Sequence, residues 1–176
     1  VMHAQRSFIA MADFAREAQA RVGRGSGVAA ALYAEALRAG RFAPEATGVR
    51  PEAVAAWRAH FHVSLPDVVR VDGERNAHGT ETLKAVLRLE DGLEIECVRV
   101  PMGPERNTLC ISSQVGCRHA CAFCETGAMG FLRDLSAAEI VSQVVVSRAV
   151  LGWNLRNIVF MGMGEPLHNY DATKRA

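Results

Sequence analysis

Residues 108–127 read "TLCISSQVGCRHACAFCETG". An apolar run, "TLCISS" (108–113), empties directly into a loop with three cysteines, Cys117, Cys121 and Cys124, spaced C-x3-C-x2-C. The run reads as a buried strand. Downstream, "SAAE" (136–139) is a capping box, in which Ser136 and Glu139 can satisfy each other's backbone donors. It opens the helical run "AAEIVSQVVVSRAVLG", which Gly152 ends. "NIVFM" (157–161) is the next strand, an unbroken apolar run of the kind found in parallel sheets. Strand, long loop, helix and strand make a βαβ unit of a layered or barrel α/β fold. Such folds carry their chemistry at the C-terminal ends of the strands. The cysteine loop follows the first strand and "GMGEP" (162–166) follows the second.

Upstream, residues 68–104 change period. "TLKAVLRL" and "LEIECVRV" are β-like runs joined through Glu90 and Asp91-Gly92, a strong hairpin signal. On the second run Leu93, Ile95 and Cys97 share one face, and Glu94, Glu96 and Val98 share the other. Residues 1–67 are Ala-rich and helical in pattern. "RSFIAMADFAREAQARV" predicts a helix ending at Gly23, "GVAAALYAEALRAG" one stopped by Gly40, and "PEAVAAWRAHF" one with Pro51 at a first helical position. Its eight arginines against six acidic residues read as a solvated face. The expected organisation is a helical accessory domain (1–67), a β-hairpin linker region (68–104) and an α/β core (105–176).

The 176 residues are 49% hydrophobic and 22% charged, as in a soluble globular protein. A net charge of +1 supplies no electrostatic argument for nucleic acid. No uncharged apolar run approaches the length of a membrane span, and the start has no signal-peptide pattern. The chain opens on Val1 and stops at Ala176 soon after a strand-like run, so a fragment is expected. Five cysteines, mostly clustered and without a secretory signal, argue against a disulfide framework and for a reducing cytoplasm.

There, clustered thiols read as metal ligands or redox groups. Structural zinc needs four ligands, and His119, Cys110 or Cys97 could supply the fourth. A redox C-x2-C pair would leave Cys117 unexplained. Three thiolates fit a 4Fe–4S cluster with one iron left open, the mark of a catalytic centre. Gly116, Gly127 and Gly130 suit a backbone that approaches a cofactor closely. The cluster is favoured over zinc.

With Phe123 just before the third cysteine, the loop resembles the signature of the radical S-adenosylmethionine (SAM) superfamily. The order "TLCISSQVGCRHACAFCETG", "LSAAEIVSQV", "NIVFMGMGEPLHN" is similar to its RNA methyltransferases. These modify carbon 2 of an adenine in 23S ribosomal RNA and in transfer RNA; close relatives methylate carbon 8 of the same ribosomal adenine. The resemblance is strong from about residue 79 to 171. It implies the start of a partial (β/α)6 radical SAM barrel, preceded by a small helical domain and a β-hairpin.

The resemblance also implies roles. Cys117, Cys121 and Cys124 would bind the 4Fe–4S cluster, whose open iron takes the amino and carboxylate groups of SAM. Gly164 and Glu165 match the family's SAM-contacting pair. Glu96, in "IECVRVP", matches a proton acceptor beside the target adenine. Cys110 matches the cysteine that resolves a covalent enzyme–RNA adduct through a transient disulfide. Cys97 matches no family role and reads as structural. A methyl group first placed on a further cysteine, near the C-terminus in this family, would be carried to the adenine by radical chemistry. RNA is the implied partner, with an electron donor such as flavodoxin or ferredoxin and no membrane. Residues 1–176 alone are expected to be inactive and poorly soluble. Glu125 stands where relatives usually carry a small residue, and the Glu96-to-Cys110 segment is one residue longer than in the relatives. The alternative readings are an adenine carbon-8 methyltransferase of the same family, a radical SAM enzyme acting on something other than RNA, and a zinc-bound RNA-binding module without catalysis.

Overall fold

The computed structural model describes residues 6–7, 14–23, 26–77, 79–103 and 106–176. The chain divides into two units, 1–64 and 65–176.

In the first unit, strand β1 (Arg6–Ser7) pairs in parallel with β2 (Phe61–His62). Helices α1 (Phe14–Val22), α2 (Ser26–Ala39) and α3 (Pro51–His60) surround a core of Phe14, Ala18, Leu32, Trp57 and Phe61. Phe14 meets Phe61 edge to face, with ring centroids 5.1 Å apart. A helix from Arg6 was expected. Arg6 and Ser7 are instead strand, and the part of that expectation over residues 8–13 lies outside the described residues. The helix stops at Gly23 and Gly40 hold, both with positive φ (76° and 65°) that glycine adopts without a Cβ penalty.

The second unit is built on a five-strand sheet of β3 (Asp67–Arg75), β4 (Glu81–Arg88), β5 (Glu94–Pro101), β6 (Asn107–Cys110) and β9 (Asn157–Val159), in that order. Between β6 and β9 the chain makes a separate antiparallel pair, β7 (Gln114–Gly116) with β8 (Phe131–Asp134), then helix α5 (Ala137–Ala149). A single helical turn, α4 (Glu125–Ala128), lies between β7 and β8, and α6 (Tyr170–Arg175) ends the chain.

The βαβ unit is present, with β6 and β9 parallel and α5 in the crossover. The sheet as a whole differs from the expected α/β pattern: the β3–β4, β4–β5 and β5–β6 pairs are all antiparallel. The fold is therefore mixed α/β with a mostly antiparallel sheet. The hairpin expected around Asp91-Gly92 runs straight on into β6, so hairpin and cysteine segment share one sheet. Strand β3 was not foreseen, because every residue of it is exposed or half-buried and it lacks a clean apolar alternation.

"NIVFM" has the unbroken apolar run of a parallel-sheet strand, which lacks its next neighbour among the described residues. Its described strand stops at Val159 at the sheet edge, with Asn157 and Ile158 exposed and Met161 78% exposed. Burial on both faces needs a neighbour on each side, and β9 has one among the described residues. The middle of the sheet is better covered. Ala85, Leu87, Ile95, Cys97 and Leu109 project from one sheet face onto Ile140 and Val146 of α5. Full burial of the leucine, isoleucine and valine side chains among them stabilises by about 1.5–3 kcal/mol each. The α5 capping box forms as read: Ser136 Oγ accepts from Glu139 N–H, and Glu139 accepts from Ser136 N–H at 2.8 Å.

Candidate functional site

The parallel pairing of β6 with β9 sets two loops side by side at the same end of the sheet. Ile111 N–H donates to Val159 O, and Gly162 N–H donates to Ile111 O (2.9 and 3.0 Å). From there the cysteine loop and "GMGEP" are joined by buried polar side chains.

Ser112 is fully buried at the point where the chain leaves β6. Its hydroxyl donates to Glu96 O at 2.6 Å and accepts from Met163 N–H at 2.9 Å. Its backbone is held by Gln143 of α5, whose Oε1 accepts from Ser112 N–H and whose Nε2 donates to Ser112 O, both at 2.8 Å. Asn169 Nδ2 donates to Ser113 O and Leu135 O, each at 2.7 Å. Gln114 Oε1 accepts from Glu165 N–H at 2.9 Å, and its Nε2 donates to Asp134 Oδ1 at 2.7 Å. These groups escaped the sequence reading; their one signal was the polar "SSQ" inside an otherwise apolar strand run.

Glycines let the loops approach. A methyl on Gly164 would sit 2.5 Å from Gln114 Cβ, and one on Gly116 would sit 1.9 Å from Gly130 O. Gly162 lies equally close to the Ile111 backbone, 2.8 Å from where its Cβ would be. Such gaps admit backbone only.

The three loop cysteines are free thiols, Cys121 exposed and the others half-buried. Cys117 N–H donates to Gly130 O (2.9 Å), Cys124 N–H to Cys121 O (3.0 Å), and Ala120 takes a positive φ of 46°. Among the described residues no three His, Cys, Asp or Glu side chains converge on a metal-holding point. The donor set nonetheless suits an iron–sulfur cluster: three soft thiols on one short loop, with backbone rather than side chains packed behind Gly127. The fourth ligand that zinc requires is less well served. The His119 ring stacks on His168 (4.6 Å) and faces Glu165 (3.9 Å), while Cys97 is buried with Sγ 3.6 Å from Ser147 Oγ. Burial pushes the Cys97 thiol up to about 11.

Glu165 stands half-exposed beside this loop; its Oε1 accepts from Leu167 N–H at 3.0 Å. Glu96 and Cys110 share one face of the sheet. Val98 is directly opposite Cys110 across the β5–β6 ladder, and Glu96 lies two residues from Val98 on the same strand face. Cys97 points the other way, into the core. Glu96 Oε1 is 3.0 Å from Lys84 Nζ. Burial raises the Cys110 thiol above its ordinary value. The structure thus links the cysteine loop to the loop of Gly164 and Glu165 through Gln114 and His119, and sets Glu96 and Cys110 on one face of the sheet.

No family model matches the chain. It is 45% identical over 157 residues to the dual-specificity RNA methyltransferase RlmN of Rhodopseudomonas palustris, covering 80% of this chain and 38% of that protein. The RlmN of Magnetococcus marinus is 55% identical over 101 residues, 56% of this chain and 28% of the relative. Among solved structures, a radical SAM methyltransferase from Sphaerobacter thermophilus superposes with a TM-score of 0.72 at 35% identity, covering 90% of this chain and 47% of that one. The chain spans less than half the length of the curated relatives it matches. The resemblance read from the cysteine loop and "NIVFMGMGEPLHN" holds: the chain is similar to radical SAM RNA methyltransferases.

Proposed function

We propose that this chain, a relative of the dual-specificity RNA methyltransferases, forms the cluster-bearing part of an enzyme that methylates an adenine of 23S ribosomal RNA, and of transfer RNA, at carbon 2. The observation that carries the reading is the contact of Glu165 N–H with Gln114, which fastens the "GMGEP" loop to the strand that enters the cysteine loop. In this reading Cys117, Cys121 and Cys124 ligate a 4Fe–4S cluster, and Glu165, beside the open backbone of Gly164, receives the ammonium of SAM. When bound, cluster and SAM together supply the one-electron chemistry that activates the methyl donor. The sheet continues beyond the edge of β9 as a partial barrel, and the exposed Ile158 and Met161 are where further strands and helices pack.

The other group of residues finishes the reaction. Glu96 takes the proton that the adenine carbon must lose. The Cys110 thiolate attacks the sulfur of the methyl-carrying cysteine; a disulfide forms, the sulfur–carbon bond breaks with its electron pair on the transferred carbon, and that carbon takes up a proton to become the methyl group. Reducing equivalents come from a small electron-transfer protein such as flavodoxin or ferredoxin, and the setting is the cytoplasm. No helix among the described residues is long and apolar enough to cross a membrane.

The test is anaerobic incubation of the complete gene product with SAM, a reductant and 23S ribosomal RNA, followed by mass analysis of the digested RNA. Adenine carrying one methyl at carbon 2 is expected. Cys110→Ala is expected to keep its cluster but to leave RNA covalently attached on a denaturing gel. Unmodified RNA with the parent, under conditions where SAM is consumed, overturns the reading.

A further inference from the structure

Lys84 lies on β4 directly opposite Val98, and Val98 lies opposite Cys110 on β6, so Lys84, Val98 and Cys110 form one row across three strands. Glu96 is the diagonal neighbour of Lys84, with Oε1 3.0 Å from the ammonium. Both side chains are more than a third exposed, at 40% and 38%. An exposed pair of this kind contributes little to stability. Its position on the face of Cys110 gives it another use.

A half-exposed glutamate has three rotatable side-chain bonds and samples many rotamers. A base acts only when its oxygen is held within hydrogen-bond reach of the proton it takes. Some of the other charged groups on this face pair with one another. Arg70 bonds Asp72 at 2.9 Å, and Arg88 bonds Glu94 at 2.9 Å. Lys84 makes the close ion pair with Glu96, and Arg70 lies near enough to feel the same charge.

We propose that Lys84 is a positioning residue for the methyl transfer: its ammonium holds Oε1 of Glu96, fixes the carboxylate over the row that ends in Cys110, and leaves Oε2 for the substrate's proton. This rests on the reading of Glu96 as the proton acceptor. Lys84 touches neither adenine nor cofactor; it acts through Glu96. An arginine can make the same charge-assisted contact, so a charge-conserving substitution retains the function.

The experiment compares the parent with Lys84→Met, Lys84→Arg and Glu96→Gln in the complete gene product. In protein purified without its cluster, side-chain scalar couplings of Glu96 measured by NMR are expected to report one dominant rotamer in the parent, averaging in Lys84→Met, and one rotamer again in Lys84→Arg. In reconstituted protein, Lys84→Met is expected to load iron and bind SAM as the parent does, but to release methylated RNA about tenfold more slowly, with covalent adduct accumulating. Its KM for RNA is expected to stay put while kcat falls. Lys84→Arg is expected to recover most of that rate. An averaged Glu96 side chain in the parent, or Lys84→Met turnover equal to the parent's alongside an impaired Glu96→Gln, overturns the role of Lys84. Normal turnover by Glu96→Gln overturns the reading of the base itself, a separate outcome.

Discussion

Glu165 N–H donates to Gln114 Oε1 at 2.9 Å, so a side chain three residues ahead of Cys117 holds the loop that follows β9. Gln114 is fully buried and is anchored in turn to Asp134 at 2.7 Å. Cysteine loop and glycine-rich loop therefore share one fastening point rather than meeting by chance of packing.

Gln114→Met keeps the volume and removes both contacts. The part-buried Glu165 amide loses its acceptor, which costs about 1 kcal/mol. Denaturant unfolding is expected to show that loss, and titration calorimetry on reconstituted protein a weaker affinity for SAM with unchanged iron content. Unaltered SAM affinity would mean that Gln114 serves the fold alone.

The glycines divide into those that need only a positive φ and those that also have no room. Gly92 has φ 83° with nothing within 4 Å of a built Cβ, so Gly92→Ala is expected to cost about 1 kcal/mol. Gly116 and Gly164 combine φ values of 79° and 94° with Cβ positions 1.9 Å from Gly130 O and 2.5 Å from Gln114 Cβ. Alanine at either is expected to cost roughly 3 kcal/mol or more, because backbone must move. Thermal melts of the three variants check the order.

Cys97 gives a pH signature of the core. Its thiol is raised from the usual 9.0 to about 11, chiefly by burial, so the fold favours the neutral form. That contribution is complete below about pH 9 and is lost as the pH climbs through about 11. Removing the thiol in Cys97→Ala leaves a small void and lowers stability at neutral pH. The gap between parent and variant is then expected to narrow by about 2–3 kcal/mol between pH 9 and 11, followed by urea unfolding.

What the sequence made legible was local. The Ser136–Glu139 box, the Asp91-Gly92 turn and the cysteine spacing each depend on residues a few positions apart, and each stands where it was read. The position of Ile158 on an edge strand depends on the strand order, which no local pattern carries. The bond from Asn169 to Ser113 spans 56 positions, and the shared face of Glu96 and Cys110 depends on the β5–β6 register. Polar residues inside an apolar run were the visible trace of that buried network; their partners were not visible.

The most direct test of the account is iron content after anaerobic reconstitution, read with the absorption near ~400 nm that an iron–sulfur cluster gives and d10 zinc does not. The parent, Cys97→Ala and Cys110→Ala are expected to be brown and fully loaded. Cys117→Ala, Cys121→Ala and Cys124→Ala are each expected to lose the band and the iron. Full iron loading in Cys121→Ala would contradict the assignment of these three thiols as the cluster's ligands.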